Sequence, residues 1–238
     1  MKNVLITGGS RGIGRAMVKM FSERGYSVAF TYKECIDNAN ELSRETGAIA
    51  IMADSSCELD VIEAVKTFEK KIGNVEILIN NAAVSSTSLF TDITTDEWRR
   101  IFSVNVEGPF MYTKQVLPSM IRRKNGRIIN VSSMWGITGA SCEVHYSASK
   151  AALIGMTKAL AKELGPSNIT VNCIAPGVID TDMNKFLSDE DVAELKAETP
   201  LMRIGAPEEV AETALFLAGD GASFITGDVI NVNGGYLI

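Results

Sequence analysis

The sequence predicts an α/β chain built as a doubly wound, seven-stranded parallel sheet with helices on both faces. Three observations lead there. Short apolar, β-prone runs alternate with longer helical patterns, a glycine-rich turn joins the first run to the first helix, and the runs end in polar residues. All 238 residues are expected to form one domain, 1–238, with no linker, repeat or low-complexity segment.

Val4-Leu-Ile-Thr7 reads as the first strand, and Gly8-Gly-Ser-Arg-Gly12-Ile-Gly14 follows it into the helical pattern Ala16, Met17, Met20 and Phe21. Glycines in such a turn let the backbone approach a pyrophosphate, and the helix N-terminus presents free N–H groups to it. Gly8, Ser10, Arg11, Gly12, Ile13 and Gly14 are therefore expected cofactor contacts. The spacing is G-x-x-x-G-x-G, and a glycine loop can be a plain turn, but the strand before it and the helix after it favour a Rossmann-type nucleotide site.

Ser27-Val-Ala-Phe-Thr31 reads as the second strand. NAD sites often place a carboxylate at its end for the ribose 2′-hydroxyl, whereas Tyr32 and Lys33 stand here. Lys33, helped by Arg11, suits the extra phosphate of NADP, so NADP is expected over NAD; either cation can equally be a solvated surface charge. The runs at 48–54 and 76–81 supply two more strands. Asp54 can accept from an adenine amine or cap the following helix beside Ser55 and Ser56.

Thr94-x-x-Glu97 is a capping-box pattern opening a long helix through Trp98, Ile101 and Phe102. Gly108-Pro109 lies inside that helix. Proline has no N–H, so the carbonyl of Asn105 loses its partner and either holds an ordered water or marks a plain kink.

A strand over 127–133 ends at Ser133. Beyond it, Tyr146 and Lys150 are four residues apart on one helical face. A free phenol titrates near about 10, and a close ammonium is expected to lower that value. Ser133 can then hold a carbonyl oxygen while Tyr146 gives it a proton, which describes ketone reduction or the reverse. Trp135 and Glu143 fall between them as pocket residues: Glu143 either pairs with a substrate ammonium or is a rim carboxylate facing water. His145 is expected to point away from the phenol, and Cys142, close to Tyr146 in sequence, either edges the pocket or is, like the other cysteines, a reduced thiol used only in packing.

The helix over 146–164 is apolar almost all round, so a subunit interface should cover part of it, giving a homotetramer or dimer. Runs at 169–177 and 228–235 complete the sheet. Between them the insertion 182–205, with a helix start at Ser188 and a stop at Pro200, reads as a substrate lid.

Composition narrows the class. Hydrophobic residues make up 46% and charged residues 22%, ordinary for a globular chain, and the net charge of −6 argues against nucleic-acid or anionic-membrane partners. No apolar run approaches a membrane span, and the start MKNVLITGG is too short in apolar residues for a signal peptide, so a cytoplasmic location is expected. Four scattered cysteines and one histidine leave no metal-ligand spacing.

Taken together, Thr7-Gly8-x-x-x-Gly12-x-Gly14, Asn80-Asn81-Ala82, Asn105, Ser133, Tyr146-x-x-x-Lys150 and Pro176-Gly177 resemble the short-chain dehydrogenase/reductase family over nearly the whole chain. The resemblance implies that Tyr146 is the acid/base, that Ser133 orients the carbonyl, and that Lys150 tunes Tyr146 and holds the nicotinamide ribose. It further implies that Asn105 supports a water reaching Lys150, that Asn80 and Asn81 support sheet and cofactor, and that Pro176, Gly177, Ile179 and Thr181 lie along the nicotinamide. Ala83 departs from the family's glycine.

Within the family the segments 176–183 and 200–205 are similar to β-ketoacyl-acyl-carrier-protein reductases, which implies a small-molecule or carrier-linked ketone. Arg122, Arg123, Lys124 and Arg127 then suggest a basic patch for an acidic carrier, although Ser167-Asn168 replace a basic residue common in that group. The strip 133–145 is also similar to reductases of the 5-aminopentanone group on elongation factor P. Hydroxysteroid or sugar-alcohol dehydrogenases share every one of these residues, and a non-catalytic nucleotide-binding regulator would be expected to lack some.

Overall fold

The computed structural model describes residues 2–184 and 188–237. Its seven strands are β1 (Asn3–Ile6), β2 (Ser27–Tyr32), β3 (Ile49–Met52), β4 (Ile77–Asn80), β5 (Gly126–Val131), β6 (Ile169–Pro176) and β7 (Val229–Val232). They form one sheet in the order β3-β2-β1-β4-β5-β6-β7, parallel at every pairing. All seven apolar runs read from the sequence are strands, with ends shifted by no more than three residues.

The pattern follows from two-sided burial. β4, β5 and β6 are buried at every position, so they carry unbroken apolar runs rather than alternating ones. Their odd and even side chains feed separate cores. Ile77, Ile79, Ile129 and Ile174 pack with Met17 and Phe21 of α1 (Gly12–Glu23) and Leu217 of α9 (Pro207–Ala218). Leu78, Ile128 and Val171 pack on the other face with Phe68 of α3 (Glu58–Lys71) and Tyr112 of α5 (Gly108–Arg123). Each fully buried Leu, Ile or Phe side chain contributes roughly 1.5–3 kcal/mol of transfer free energy.

Connection order reverses on either side of β1: β1 leads outward to β2 and β3, and the chain then returns to pair β4 against β1. The crevice at the carboxyl ends of β1 and β4 is thus where this fold binds ligands. α2 (Ile36–Thr46) stops at Gly47, whose φ of 73° is the left-handed conformation that favours glycine.

The long helix expected after Thr94 is interrupted. α4 (Thr95–Phe102) runs into a π-helical turn over Ser103–Glu107, and α5 begins at Gly108 with Pro109 in its first turn. Pro109 cannot close an i→i−4 bond to Asn105, and the backbone answers by widening one turn. The capping box at Thr94 is half formed. Thr94 Oγ1 accepts from the Glu97 N–H, but the Glu97 carboxylate turns to Ser86.

α7 (Val144–Leu164) is buried on the face against β5 and β6, while Ala151, Gly155 and Ala159 are exposed on another. Of the 182–205 insertion, residues 185–187 lie outside the described residues. The remainder holds a 3-10 turn Asp182–Asn184 and α8 (Asp189–Glu198), opened by the reciprocal Ser188–Asp191 capping box. Its far end is fastened by the Asp180 N–H to the Gly205 carbonyl and the Gly205 N–H to the Val178 carbonyl. Among the described residues no helix is long and apolar enough to cross a membrane.

Candidate active site

A cleft of about 390 Å³ opens at the carboxyl ends of the strands, on both sides of the β1–β4 junction. Its phosphate end is the glycine loop. The N-terminus of α1 has no side-chain cap from Arg11, so its leading N–H groups are directed into the loop without a side-chain acceptor. Asn81 fixes the loop from below: its Nδ2 donates to the carbonyls of Thr7 and Gly8, and its N–H donates to Thr7 Oγ1. A Cβ on Gly14 would stand against the Gly8 carbonyl oxygen, well inside van der Waals contact, and Gly8 has φ 67° with Ala82 Cα only 2.8 Å from its missing Cβ. Those two positions require glycine; the result is a backbone cradle shaped for a pyrophosphate.

At the adenosine end, Lys33 forms an ion pair with Asp54 at 2.8 Å, and Asp54 also accepts from the N–H and hydroxyl of Ser56. Asp54 is therefore paired and holds the turn at Ser56 rather than capping α3, whose N-cap is Cys57, and part of the Lys33 charge is already answered within the protein. Arg11 borders the cleft, and so does Arg100 of α4, whose charge is felt at Lys33. Arg100 and Val104 carry no sequence signal as binding residues: the α4 register and the turn after it bring them to the cleft from far along the chain.

At the inner end, Ser133, Tyr146 and Lys150 come together. Lys150 is 2% exposed, its Nζ donates to the Val131 carbonyl at 2.8 Å, and it lies 5.6 Å from the centre of the Tyr146 ring. Ser133 Oγ accepts from the Trp135 N–H, and its hydroxyl also meets the Tyr146 phenol. Trp135 stacks edge-on against Tyr236. Glu143 borders the same pocket, half-buried, its carboxylate with no hydrogen-bond or ion-pair partner among the described residues.

The electrostatics correct one expectation. Tyr146 is raised above its ordinary value, not lowered: burial is the main cause, the Glu143 carboxylate adds to it, and the Ser133 hydroxyl opposes it. Lys150 is itself pushed down to about 8 by burial. The lysine is desolvated together with the phenol, and burial outweighs the pairing that the i,i+4 spacing promises. Glu143 is raised for the same reason.

Every residue expected to contact the cofactor, together with Trp135 and Glu143, borders this cleft, including Ser10, Gly12, Ile13, Pro176, Gly177, Ile179 and Thr181. Asn105 does not. It is fully buried, with Oδ1 accepting from the Val84 N–H and Nδ2 donating to the Val84 carbonyl and to Ser149 Oγ. Asn80 also works away from the cleft, donating to Asn130 Oδ1, whose Nδ2 passes a bond on to Thr157. Cys142 is not on the cleft wall; its carbonyl accepts from the Ser88 N–H, and its φ is 62°. The expected basic patch is not one surface. Arg127 is buried, Arg123 reaches the Val75 carbonyl and Glu76, and all four residues flank the start of β5, at the amino end of the strands opposite the cleft.

The residues present fit a nicotinamide dinucleotide. The glycine cradle would take its phosphates, and Lys150, a buried ammonium with three donors and the Val131 carbonyl as acceptor for one of them, has N–H groups left for ribose hydroxyls. Comparison with known proteins agrees. Residues 8–237 match the family model described as Enoyl-(Acyl carrier protein) reductase. The chain belongs to the short-chain dehydrogenase/reductase family. Its similarity to other members extends end to end. It is 39% identical to the 3-oxoacyl-[acyl-carrier-protein] reductase FabG of Chlamydia trachomatis, over 98% of this chain and 96% of that protein. It is 41% identical to the FabG of Aquifex aeolicus, over 97% and 95%. The solved structure of a mutant short-chain dehydrogenase/reductase from Serratia marcescens superposes with a TM-score of 0.92 at 34% identity, covering 99% of this chain and 97% of that one. As a family member the chain is an NAD(P)-dependent short-chain oxidoreductase.

Proposed function

We propose that the protein reduces 3-oxoacyl thioesters of the kind borne by acyl carrier protein to the 3-hydroxy product, with NADP as cofactor. The observation that carries this reading is the meeting of Ser133, Tyr146 and Lys150 at the inner end of the cleft, in a chain so similar to proteins named for that reaction. The bound nicotinamide supplies the hydride. Ser133 donates a hydrogen bond to the carbonyl oxygen and orients it, and Tyr146 transfers its phenolic proton to the same oxygen as the C=O becomes C–OH. The phenol is protonated at neutral pH even at its ordinary value, and burial raises it further, so it enters ketone reduction as the proton donor. Lys150 holds the ribose, and Asn105 acts through Val84 and Ser149.

NADP is supported by Arg11 and Arg100, cations bordering the adenosine end, more than by Lys33 with its Asp54 partner. The insertion 182–205, hinged where Ile179 bridges Gly205, serves as a lid. The chain self-associates, as a tetramer or dimer, through the face of α7 where Ala151, Gly155 and Ala159 allow close helix packing. Light scattering should give at least twice the 25.7 kDa of one chain; a monomer at micromolar concentration refutes the self-association.

A second reading has its own support. Glu143 is a half-buried, unpaired carboxylate in the pocket, close enough to raise the Tyr146 pKa. A fatty acyl chain has no use for it, whereas an ammonium near the ketone, as in the aminopentanone group on elongation factor P, would pair with it. One experiment separates these. NADPH oxidation is followed against an acetoacetyl thioester, an aminoketone and a steroid ketone, with NADH in parallel. The first reading expects the thioester to be the best substrate and NADPH to exceed NADH at least about tenfold in kcat/KM, roughly 1.4 kcal/mol. An inert thioester, with aminoketone turnover that Glu143→Gln abolishes, replaces it by the second.

A further inference from the structure

His145 immediately precedes Tyr146 on α7 and is fully buried. Its Nε2 lies 2.8 Å from Ser86 Oγ, and Ser86 Oγ donates to the Glu97 carboxylate. A serine hydroxyl has one proton. With that proton given to Glu97, Ser86 Oγ is left as an acceptor, and His145 must donate from Nε2. The neighbours thus fix the ring's tautomer, and the bonds run one way, from His145 through Ser86 to Glu97.

The three residues belong to three elements: α7, the connection after β4, and the first turn of α4. That connection carries Ala82, Ala83, Val84 and Ser85 along the cleft wall. It is held at two other points, by the Asn105 side chain on both the N–H and carbonyl of Val84 and by the Ser88 N–H on the Cys142 carbonyl. Asn105 in turn bonds Ser149, whose hydroxyl donates to the Tyr146 carbonyl. The wall is therefore fastened to α7 on both sides of the phenol, at His145 one residue before it and at Ser149 three residues after it.

Packing alone does not call for this histidine. Its Nδ1 is buried with no partner among the described residues, a cost that an aromatic hydrocarbon of the same shape would avoid. We propose that Glu97, Ser86 and His145 form a positioning relay that sets the distance between the cleft wall at Val84–Ser85 and the Tyr146 phenol, so that a ketone is held against Ser133 and Tyr146. The effect on substrate rests on the reductase reading; the clasp itself does not.

The test compares His145→Phe, which keeps the ring and removes both nitrogens, with His145→Gln, whose amide can donate as Nε2 does. Ser86→Ala, at a half-exposed position, cuts the same relay with less risk to folding. Hydrogen exchange of the 82–88 peptide reads the clasp without substrate: His145→Phe and Ser86→Ala should speed it about tenfold or more, and His145→Gln should restore it to within about threefold. In turnover, the Phe and Ala variants should raise the ketone KM about tenfold with kcat within about threefold and NADPH affinity unchanged, and Gln should recover the KM. Unchanged exchange in folded Phe and Ala variants overturns the proposal, as does equal impairment by Phe and Gln. Normal exchange responses in a wild-type protein that reduces no ketone support the clasp and refute the reductase reading instead.

Discussion

Tyr146→Phe should lower turnover at least about 10²-fold, the contribution expected of a positioned general acid, while NADPH affinity stays within about twofold. The ring and its packing survive the change; only the hydroxyl is lost. Steady-state assay with fluorescence titration of NADPH checks both halves. The wild-type phenol, raised by burial and by Glu143, remains protonated through neutral pH. Reduction should therefore show no loss of rate attributable to Tyr146 ionisation below about pH 9, and oxidation of the alcohol should keep rising with pH toward the alkaline limit. A variant with near wild-type turnover would remove Tyr146 from the mechanism.

Lys150→Met should abolish most activity and, at the same time, stabilise the fold. Burial depresses the lysine from 10.5 to about 8, so holding its ammonium in the folded chain at pH 7 costs about 3 kcal/mol. Methionine escapes that cost but leaves the Val131 carbonyl without its donor, a loss of about 1 kcal/mol, so a net gain of roughly 2 kcal/mol is expected. The sign of the pH dependence follows from linkage. Between pH 8 and 10.5 the unfolded chain binds the proton that the folded chain has released, so wild-type stability rises with pH across that window. The advantage of Lys150→Met is therefore full below pH 8 and gone above about 10.5. Thermal melts of the cofactor-free protein at about pH 7 and about pH 10.5 check this. An equal or lower melting temperature for the variant at neutral pH would mean that the lysine is not charged in the folded chain.

The same two residues mark where sequence reasoning holds and where it stops. Tyr146 and Lys150 are legible because i,i+4 spacing and the preceding strand end are local facts. The direction of their pKa shifts is not, because burial is set by β5, by β6 and by Gly136 packed against Lys150. Asn105 shows the same divide. Pro109 announces a disturbed helix, but the π turn and the grip of the Asn105 side chain on Val84 depend on a loop some twenty residues earlier. The basic run 122–127 misleads for the reverse reason. Four nearby charges look like a surface patch until the strand buries one and Glu76 takes another.

Glu97 illustrates how a correct local pattern can be put to other use. Its capping-box spacing predicts a backbone partner at Thr94, yet the carboxylate is drawn to Ser86 and His145. Arg100 has no pattern at all, being a surface-type residue that the α4 register turns toward the cofactor end.

The order of apolar runs, the glycine turn and the spacing of serine, tyrosine and lysine are enough to specify the parallel sheet, the nucleotide cradle and the reacting trio. Each of these arises from periodicity or from backbone constraints acting over a few residues. Which groups lose water, which carboxylate meets which histidine, and which cations reach the cleft depend on segments far apart in the chain, because desolvation and hydrogen-bond pairing are properties of the packed interior.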